Sequence, residues 1–243
     1  MAANRFEKYM WEYTFKVVIV ADLHLNGTPW IIDEEEVNFR DFCHQIVRPL
    51  TRATFIIFLG DTVDQIGAND FHQAQRQLHL LYKTLAIHEV LYKTIFVQGN
   101  HDPNSRFFLW HKRIHVHPVL RIPLPEYRSL WLFHGDNTGL DQLMKKRYRQ
   151  NKLKAVDVEE WRAKLRSPID PRTQPWLKDY VVAGHTHFGV CNRKTYTLFV
   201  PSARKHWESS SRTDHGWVGF LGYGTSDHPA KELIAIENPL GQV

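Results

Sequence analysis

Residues 15–24 read FKVVIVADLH, a nearly continuous apolar run that stops abruptly at a polar tripeptide. A short, β-branched run of this kind predicts a strand that is buried on both faces. The DLH that follows, Asp22 to His24, presents a carboxylate and an imidazole at the carboxyl end of that strand. The same arrangement recurs along the chain, and it decides our interpretation of the fold.

Four further motifs follow strand-like runs in chain order: GD at Gly60-Asp61, GNHD at Gly99 to Asp102, HGD at His134 to Asp136, and GHTH at Gly184 to His187. In open α/β sheets, ligands gather at the carboxyl ends of the strands, so motifs that are distant in sequence are expected to meet there. Carboxylate, amide and imidazole side chains delivered together indicate a two-metal hydrolytic site. A single GD would mean little, because loops are rich in both residues.

The spacing of the apolar residues predicts an α/β fold. Strands are expected at 15–21, 54–59 and 94–98, with helical patterns between them. Asp33 and Glu36 resemble a capping box that would start the first helix, which would continue to about Leu50. Parallel strands with helical crossovers follow from this alternation. Later strands are expected at 130–133, 180–183, 195–200, 217–223 and 232–236.

Length and composition suit one domain over residues 1–243, with a sizeable core. No apolar run approaches the roughly 18 residues that a membrane helix needs. The first residues carry Glu7 and Glu12 and lack the apolar region of a secretory signal, which predicts the cytoplasm. Cys43 and Cys191 form no CxxC pair, so a disulfide framework or a thiolate zinc site is not expected.

The positive charge is concentrated in one segment. The net charge is +5, and residues 141–166 hold nine Lys/Arg against four Asp/Glu, which equals the whole excess. These residues belong to a charged helical region, about 138–166, that lies between two motif strands and is expected to form a helical cap or insertion near the site. A cluster of Lys145, Lys146, Arg147 and Arg149 would then attract an anionic substrate. The alternative is an ordinary solvated helix face.

Apolar side chains in the same region allow two interpretations. They are Leu143, Met144, Tyr148, Leu153, Val156 and Trp161. They could pack against the body of the domain, or they could hold an acyl chain, which would imply peripheral contact with a membrane. Packing is favoured because the apolar face of a helix is usually part of the core.

The order D-x-H, G-D-x-x-D, G-N-H-D/E, H and G-H-x-H resembles the calcineurin-like metallophosphoesterase superfamily over about residues 15–237. The resemblance implies a four-layer α-β-β-α sandwich with a dinuclear metal site on one edge. It implies one metal ion held by Asp22, His24, Asp61 and His187, and a second held by Asp61, Asn100, His134 and His185, with Asp61 bridging. It also implies that His101 is the general acid near the leaving group and that Asp64 orients His101.

Departures from the family pattern narrow the substrate class. Protein Ser/Thr phosphatases carry an Arg just after the second Asp of GDxxD, where this chain has Gln65. After GHTH, many members have N-P-G-S, whereas the comparable stretch here is Val200-Pro201-Ser202, without the Gly. The HGD and GHTH contexts resemble the bacterial UDP-diacylglucosamine pyrophosphohydrolases, although that subfamily often has Arg where His101 stands.

The sequence therefore predicts a hydrolase of phosphate esters or anhydrides that uses a hydroxide activated by two divalent metal ions. Manganese is favoured, and iron, zinc, cobalt or nickel also suit mixed nitrogen and oxygen ligands. A phosphodiester or pyrophosphate bond in a phosphorylated small molecule or nucleotide is favoured over a phosphoprotein. The alternative is a nucleic-acid-processing nuclease or phosphodiesterase, suggested by the basic segment and eight Trp. A non-catalytic binding scaffold is least favoured, because the chain keeps every expected ligand.

Overall fold

The structure, a computed structural model, contains two large β-sheets. It describes residues 13–26, 30–32, 35–37, 51–64, 71–102, 115–124, 128–143, 145, 154–165, 178–187, 189–202, 218–224 and 232–237. Strands are numbered in chain order. The first sheet contains six of them: β1 (Phe15–Val20), β4 (Phe55–Leu59), β5 (Thr94–Val97), β6 (His115–His117), β12 (Val218–Tyr223) and β13 (Glu232–Glu237). Their spatial order is β13-β12-β1-β4-β5-β6. Strands β1, β4, β5 and β6 are parallel, and β12 and β13 are antiparallel additions.

The second sheet has five strands: β7 (Val119–Pro123), β8 (Ser129–Phe133), β9 (Tyr180–Ala183), β10 (Val190–Asn192) and β11 (Thr197–Phe199). Their spatial order is β10-β11-β9-β8-β7. The three central strands are parallel, and β7 and β10 are antiparallel edges. A separate hairpin pairs β2 (Trp30–Ile32) with β3 (Glu35–Val37).

The main hydrophobic core lies between the two sheets. Ile19 of β1 and Ile57 of β4 share one buried cluster with Leu132, Val182 and Leu198 of the second sheet. The alternation of side chains along each strand places its other residues on the outer face. Both faces of the central strands are therefore covered, which explains why their sequences read as continuous apolar runs.

Helices cover the outer faces. On the first sheet, Tyr82 of α1 (Phe71–Ile87) meets the ring of Phe96 edge-on, with the ring centroids 5.4 Å apart. On the second sheet, Trp161 of α2 (Ala155–Lys164) meets Phe199 in the same way at 5.1 Å. Two sheets with helices packed on them confirm the predicted α/β class. Within the described residues, no helix has the length and apolar character that a membrane crossing requires.

The strands predicted from the sequence are found within a residue or two of their expected bounds, but the predicted helix start at Asp33 is wrong. Residues 35–37 form β3, which pairs with Trp30–Ile32. The aromatic and β-branched residues of Trp30–Ile32 favour a strand. The pairing of this strand with residues 35–37 overrides the capping-box pattern, which predicted the first turn of a helix there. The rest of the predicted helix, including Cys43 and the residues up to Leu50, lies outside the described residues.

The apolar positions of the 138–166 region divide into two groups. Leu143 and Trp161 are buried with Leu140 and Val158 against the outer face of the second sheet, so they pack as core. Val156 is 51% exposed, and its inclusion in the packed set is therefore wrong. Met144, Tyr148 and Leu153 lie outside the described residues.

Candidate metal centre

The motifs meet at one edge of the two sheets, and backbone hydrogen bonds carry the strand alignment into their loops. The N–H of Asp22 donates to the Gly60 carbonyl at 3.2 Å, and the N–H of His24 donates to the Asp61 carbonyl at 2.8 Å. The N–H of Gly60 in turn donates to Val97 at 2.9 Å. The residues that follow β1, β4 and β5 are therefore held side by side.

Five of the candidate ligands sit in the left-handed backbone region. They are Asp22 (φ 54°), His24 (46°), Asp61 (47°), His185 (61°) and His187 (54°). Asp and His tolerate this region better than most residues, yet each such conformation costs on the order of 1–3 kcal/mol unless its surroundings impose it. Backbone strain of this kind concentrates where a fold must aim side chains at one point. Here it accompanies the convergence of these side chains.

A glycine keeps the two motif loops in contact. A Cβ added to Gly184 would lie 2.9 Å from both the Asp22 Oδ2 atom and the Leu59 carbonyl. The absence of a side chain also lets the N–H of the next residue, His185, donate to Asp22 Oδ1 at 3.1 Å. Gly184 is therefore required for the close approach of β9 to the end of β1.

The first group of donors comprises Asp22, His24 and His187, all within 4.8 Å of one another. His187 Nε2 lies 3.4 Å from His24 Nε2 and 3.4 Å from Asp22 Oδ1. Ligands at about 2.1 Å from one ion, separated by angles of 90–110°, stand roughly 3.0–3.4 Å apart. The spacing and the mixture of imidazole and carboxylate therefore suit a single divalent cation.

The second group comprises Asp61, His134 and His185, and Asn100 joins it. His134 Nε2 lies 3.0 Å from Asp61 Oδ2, 3.0 Å from Asn100 Oδ1 and 3.1 Å from His185 Nδ1. These four donors converge from the ends of β4, β5, β8 and β9. They fit a second divalent cation by the same criterion of spacing.

Asp61 lies between the groups. Its Oδ2 atom is 3.0 Å from His134 Nε2 and 3.8 Å from His24 Nε2, so one oxygen faces both sets of donors. Its Oδ1 atom accepts a hydrogen bond from the backbone N–H of His101 at 2.8 Å. The carboxylate is thereby oriented with Oδ2 toward the space that the two groups share.

The electrostatics of the site favour ionised carboxylates. Burial opposes the charge on Asp61, but the hydrogen bond and the positive charge of His134 hold its pKa well below its ordinary value. Burial opposes a charge on His134 as well, yet the hydrogen bond to Asp61 raises its pKa to about 9. Desolvation lowers the pKa of His24 to about 4. Cation binding would therefore displace a proton from His134, while His24 already offers a lone pair.

His101 and Asp64 form a separate pair beside the first group. His101 Nδ1 lies 2.9 Å from Asp64 Oδ1, and this hydrogen bond raises the pKa of His101 above its ordinary value. The side chain of His101 remains 32% exposed, so it faces the opening of the site. Asp64 Oδ2 also lies 3.8 Å from His24 Nδ1, which places this carboxylate between two imidazoles.

The remaining Asp residues of the motifs have structural partners. Asp102 accepts hydrogen bonds from the N–H groups of Val63 and Gly99, each at 2.8 Å, and so ties the loop after β4 to the loop after β5. Burial raises the pKa of Asp102 to about 7. Asp136 accepts a hydrogen bond from Asn137 Nδ2 at 2.8 Å.

One residue at the site was not predicted from the sequence. Asp141 Oδ1 lies 2.8 Å from His185 Nε2. No motif contains Asp141. The indication that the sequence offers is its position seven residues after His134, at the start of a helical pattern. Of the predicted basic cluster, Lys145 is exposed and one helical turn beyond Asp141, while Lys146, Arg147 and Arg149 lie outside the described residues. Gln65 also lies outside them.

The model of the family described as calcineurin-like phosphoesterase matches residues 15–189. Among solved structures, the phosphoesterase Yfce from E. coli is 16% identical with a TM-score of 0.48, over 92% of this chain and 99% of that chain. A dimetal phosphatase from Danio rerio is 12% identical with a TM-score of 0.48, over 94% of this chain and 98% of that chain. Comparison with curated protein sequences finds no match.

Proposed function

This chain belongs to the calcineurin-like phosphoesterase family, and we propose that it is a dinuclear metallohydrolase that cleaves a phosphodiester or pyrophosphate bond. Family membership and the convergent His and Asp groups support metal-dependent hydrolysis of phosphoesters. The observation that carries the dinuclear proposal is the position of Asp61 Oδ2, 3.0 Å from His134 Nε2 and 3.8 Å from His24 Nε2. A carboxylate oxygen that faces two donor groups supports the proposal that Asp61 would be a ligand shared by two cations.

In this proposal, the ligand sets are those that the resemblance implies. Asp22, His24, Asp61 and His187 would hold one ion, and Asp61, Asn100, His134 and His185 would hold the other. When bound, two divalent ions, manganese in the favoured case, would polarise the phosphoryl oxygens and lower the pKa of the attacking water. The ionised Asp22 and Asp61 compensate the cations' charge, and the neutral imidazoles and the Asn100 amide add no further negative charge to repel a phosphate.

His101 is proposed to supply the proton that the leaving oxygen needs. Asp64 holds Nδ1 of the ring at 2.9 Å, so Nε2 is the nitrogen that would face the substrate. The same hydrogen bond raises the pKa of His101 and increases its protonated fraction near neutral pH. A protonated, oriented and partly exposed imidazole has the properties of a general acid.

The test of the proposed function is a substrate panel with defined metal content. The protein is stripped of metal, reloaded with two equivalents of Mn²⁺, and assayed on a phosphomonoester, a phosphodiester, a nucleotide-sugar pyrophosphate, single-stranded RNA and a phosphopeptide. We expect kcat/KM to be highest for a diester or a pyrophosphate. The highest value for RNA would favour the nuclease alternative, the highest value for the phosphopeptide would overturn the bond preference, and no turnover by the loaded protein would overturn the enzyme proposal.

The basic cluster provides a prediction about substrate charge. Replacing Lys145, Lys146, Arg147 and Arg149 by Gln should raise KM for a charged substrate at low salt and leave kcat nearly unchanged. The increase should fade at high ionic strength, because salt screens interactions between exposed charges. The measurement is KM as a function of NaCl concentration for the quadruple variant and the wild type.

A matched control uses exposed basic residues of α1, on the outer face of the first sheet. Arg76→Gln with Lys83→Gln should leave KM at the wild-type value at every salt concentration. The KM of the quadruple variant for a small ester with an uncharged leaving group should likewise be almost unchanged. A KM for the charged substrate that is unchanged by the four substitutions would reduce the cluster to an ordinary solvated helix face.

A further inference from the structure

The two ring nitrogens of His185 face different partners. Nδ1 points into the second donor group, 3.1 Å from His134 Nε2. Nε2 points the opposite way and lies 2.8 Å from Asp141 Oδ1. The side chain of His185 is 15% exposed, whereas that of Asp141 is 59% exposed at the rim of the site. His185 is thus held between the donor group and a carboxylate from a different part of the chain.

This arrangement selects one tautomer of the ring. A neutral imidazole carries a proton on one nitrogen and a lone pair on the other, and an ionised carboxylate can only accept. With Asp141 at Nε2, the proton belongs on Nε2 and the lone pair on Nδ1. We propose that Asp141 is a positioning residue that directs the Nδ1 lone pair of His185 at the second metal ion. This inference rests on the proposed function, because it presupposes an ion in the second donor group.

Two other imidazoles of the site, those of His134 and His24, also turn one ring nitrogen toward the donors and the other away from them. His134 turns Nε2 toward the donors while its Nδ1 faces the Leu59 carbonyl at 3.5 Å. His24 turns Nε2 inward while its Nδ1 lies 3.8 Å from Asp64 Oδ2. The contact at Asp141 is the shortest of the three, and a carboxylate partner at this distance fixes the orientation of the ring. Of these three imidazoles, His185 therefore has the closest outer partner.

The local structure holds Asp141 in place despite its exposure. The Thr138 hydroxyl donates to the Gly135 carbonyl at 2.6 Å, which closes the turn after β8. The indole of Trp161 donates to the Thr138 carbonyl at 2.9 Å. Leu140 and Leu143, on either side of Asp141, are buried against the second sheet. These anchors hold the backbone near Asp141 in place without a contribution from the carboxylate itself.

The experiment compares full-length wild type with Asp141→Ala, Asp141→Asn and the control Asp136→Asn. Mn²⁺ titration by calorimetry should show one of the two sites weakened by about 10–100-fold in Asp141→Ala, the usual effect of losing such an outer partner. Asp141→Asn should show a smaller loss, because its amide oxygen can still accept from Nε2. Asp136→Asn removes a carboxylate from the turn that precedes Asp141 and should bind Mn²⁺ like the wild type, and all variants should keep the wild-type Tm without metal.

A second readout does not require metal. Nitrogen-15 NMR of the metal-free protein, recorded well above the ordinary imidazole pKa of about 6.5, should show the proton of His185 on Nε2 in the wild type and a mixture of tautomers in Asp141→Ala. Unchanged Mn²⁺ affinities with an unchanged tautomer in Asp141→Ala would overturn the proposal. If the wild type fails to bind two Mn²⁺ ions, the proposed dinuclear function is overturned. The positioning role is tested separately, because an unaltered tautomer in Asp141→Ala would overturn it on its own.

Discussion

Replacing Asp61 by Asn is expected to abolish phosphoester hydrolysis and to reduce the amount of bound metal. Its Oδ2 atom faces both donor groups, so under the proposed dinuclear function the substitution would exchange a shared, charged ligand for a neutral amide and would weaken both ions at once. Metal ions contribute several kcal/mol of transition-state stabilisation, and a loss of that size corresponds to a decrease of roughly 10³-fold or more in rate. No other single ligand in the described site is expected to have so large an effect.

The measurement is metal content by elemental analysis after dialysis, together with kcat on the best substrate of the panel. The amide oxygen of the Asn side chain can still accept the hydrogen bond from the His101 N–H, so the loop should remain in place and the Tm of the metal-free protein serves as the check. Asp136→Asn is the matched control and should retain both ions and full activity. Two tightly bound ions and normal turnover in Asp61→Asn would contradict the bridging role.

The second large effect is expected for His101→Ala, and it separates proton transfer from metal binding. The variant should keep both ions, because the His101 side chain belongs to neither ligand set, but kcat should fall by about 10²–10⁴-fold, the usual contribution of a general acid. The loss should be smaller for a p-nitrophenyl ester than for an alkyl ester, since a good leaving group departs without a proton. Equal losses for both esters would show that His101 has only a structural role.

The pH dependence tests the partnership of His101 with Asp64. The hydrogen bond to Asp64 raises the pKa of His101, so the protonated acid persists to higher pH and activity declines as pH rises through that pKa. Asp64→Asn removes the charge, lowers the pKa of His101, and should move the alkaline limb of the kcat profile to lower pH with a milder loss of rate than His101→Ala. An alkaline limb that does not move would show that Asp64 does not control the protonation of His101.

The strands that carry the site residues could be predicted because the sequence features that favour them are local. FKVVIVA and TFIIFL are short, apolar and β-branched, and such segments favour central strands that are buried on both faces. The polar residues that follow them must then lie at one edge, since parallel strands place their carboxyl ends together. The convergence of Asp22 and Asp61 could therefore be expected from the sequence, whereas His134 follows β8 of the second sheet, and its approach to them depends on how the two sheets pack.

Other features depend on tertiary contacts and could not be read from a local pattern. The hairpin of Trp30–Ile32 with Glu35–Val37 requires a pairing that outweighs the capping-box pattern. Val156 has the spacing of an apolar stripe, yet α2 turns Val158 and Trp161 toward the sheet instead. Asp141 contacts a histidine 44 residues away, and one carboxylate in a charged helical segment carries no sign of such a partner.

The central claim is that this edge of the fold holds two metal ions, and anomalous diffraction from crystals of the Mn²⁺-loaded protein tests it most directly. We expect two manganese peaks about 3.5–4 Å apart, the usual separation in two-metal hydrolytic sites. One peak should lie among Asp22, His24 and His187, and the other among Asn100, His134 and His185, with Asp61 between them. A single peak, or a pair of peaks away from Asp61, would contradict the account.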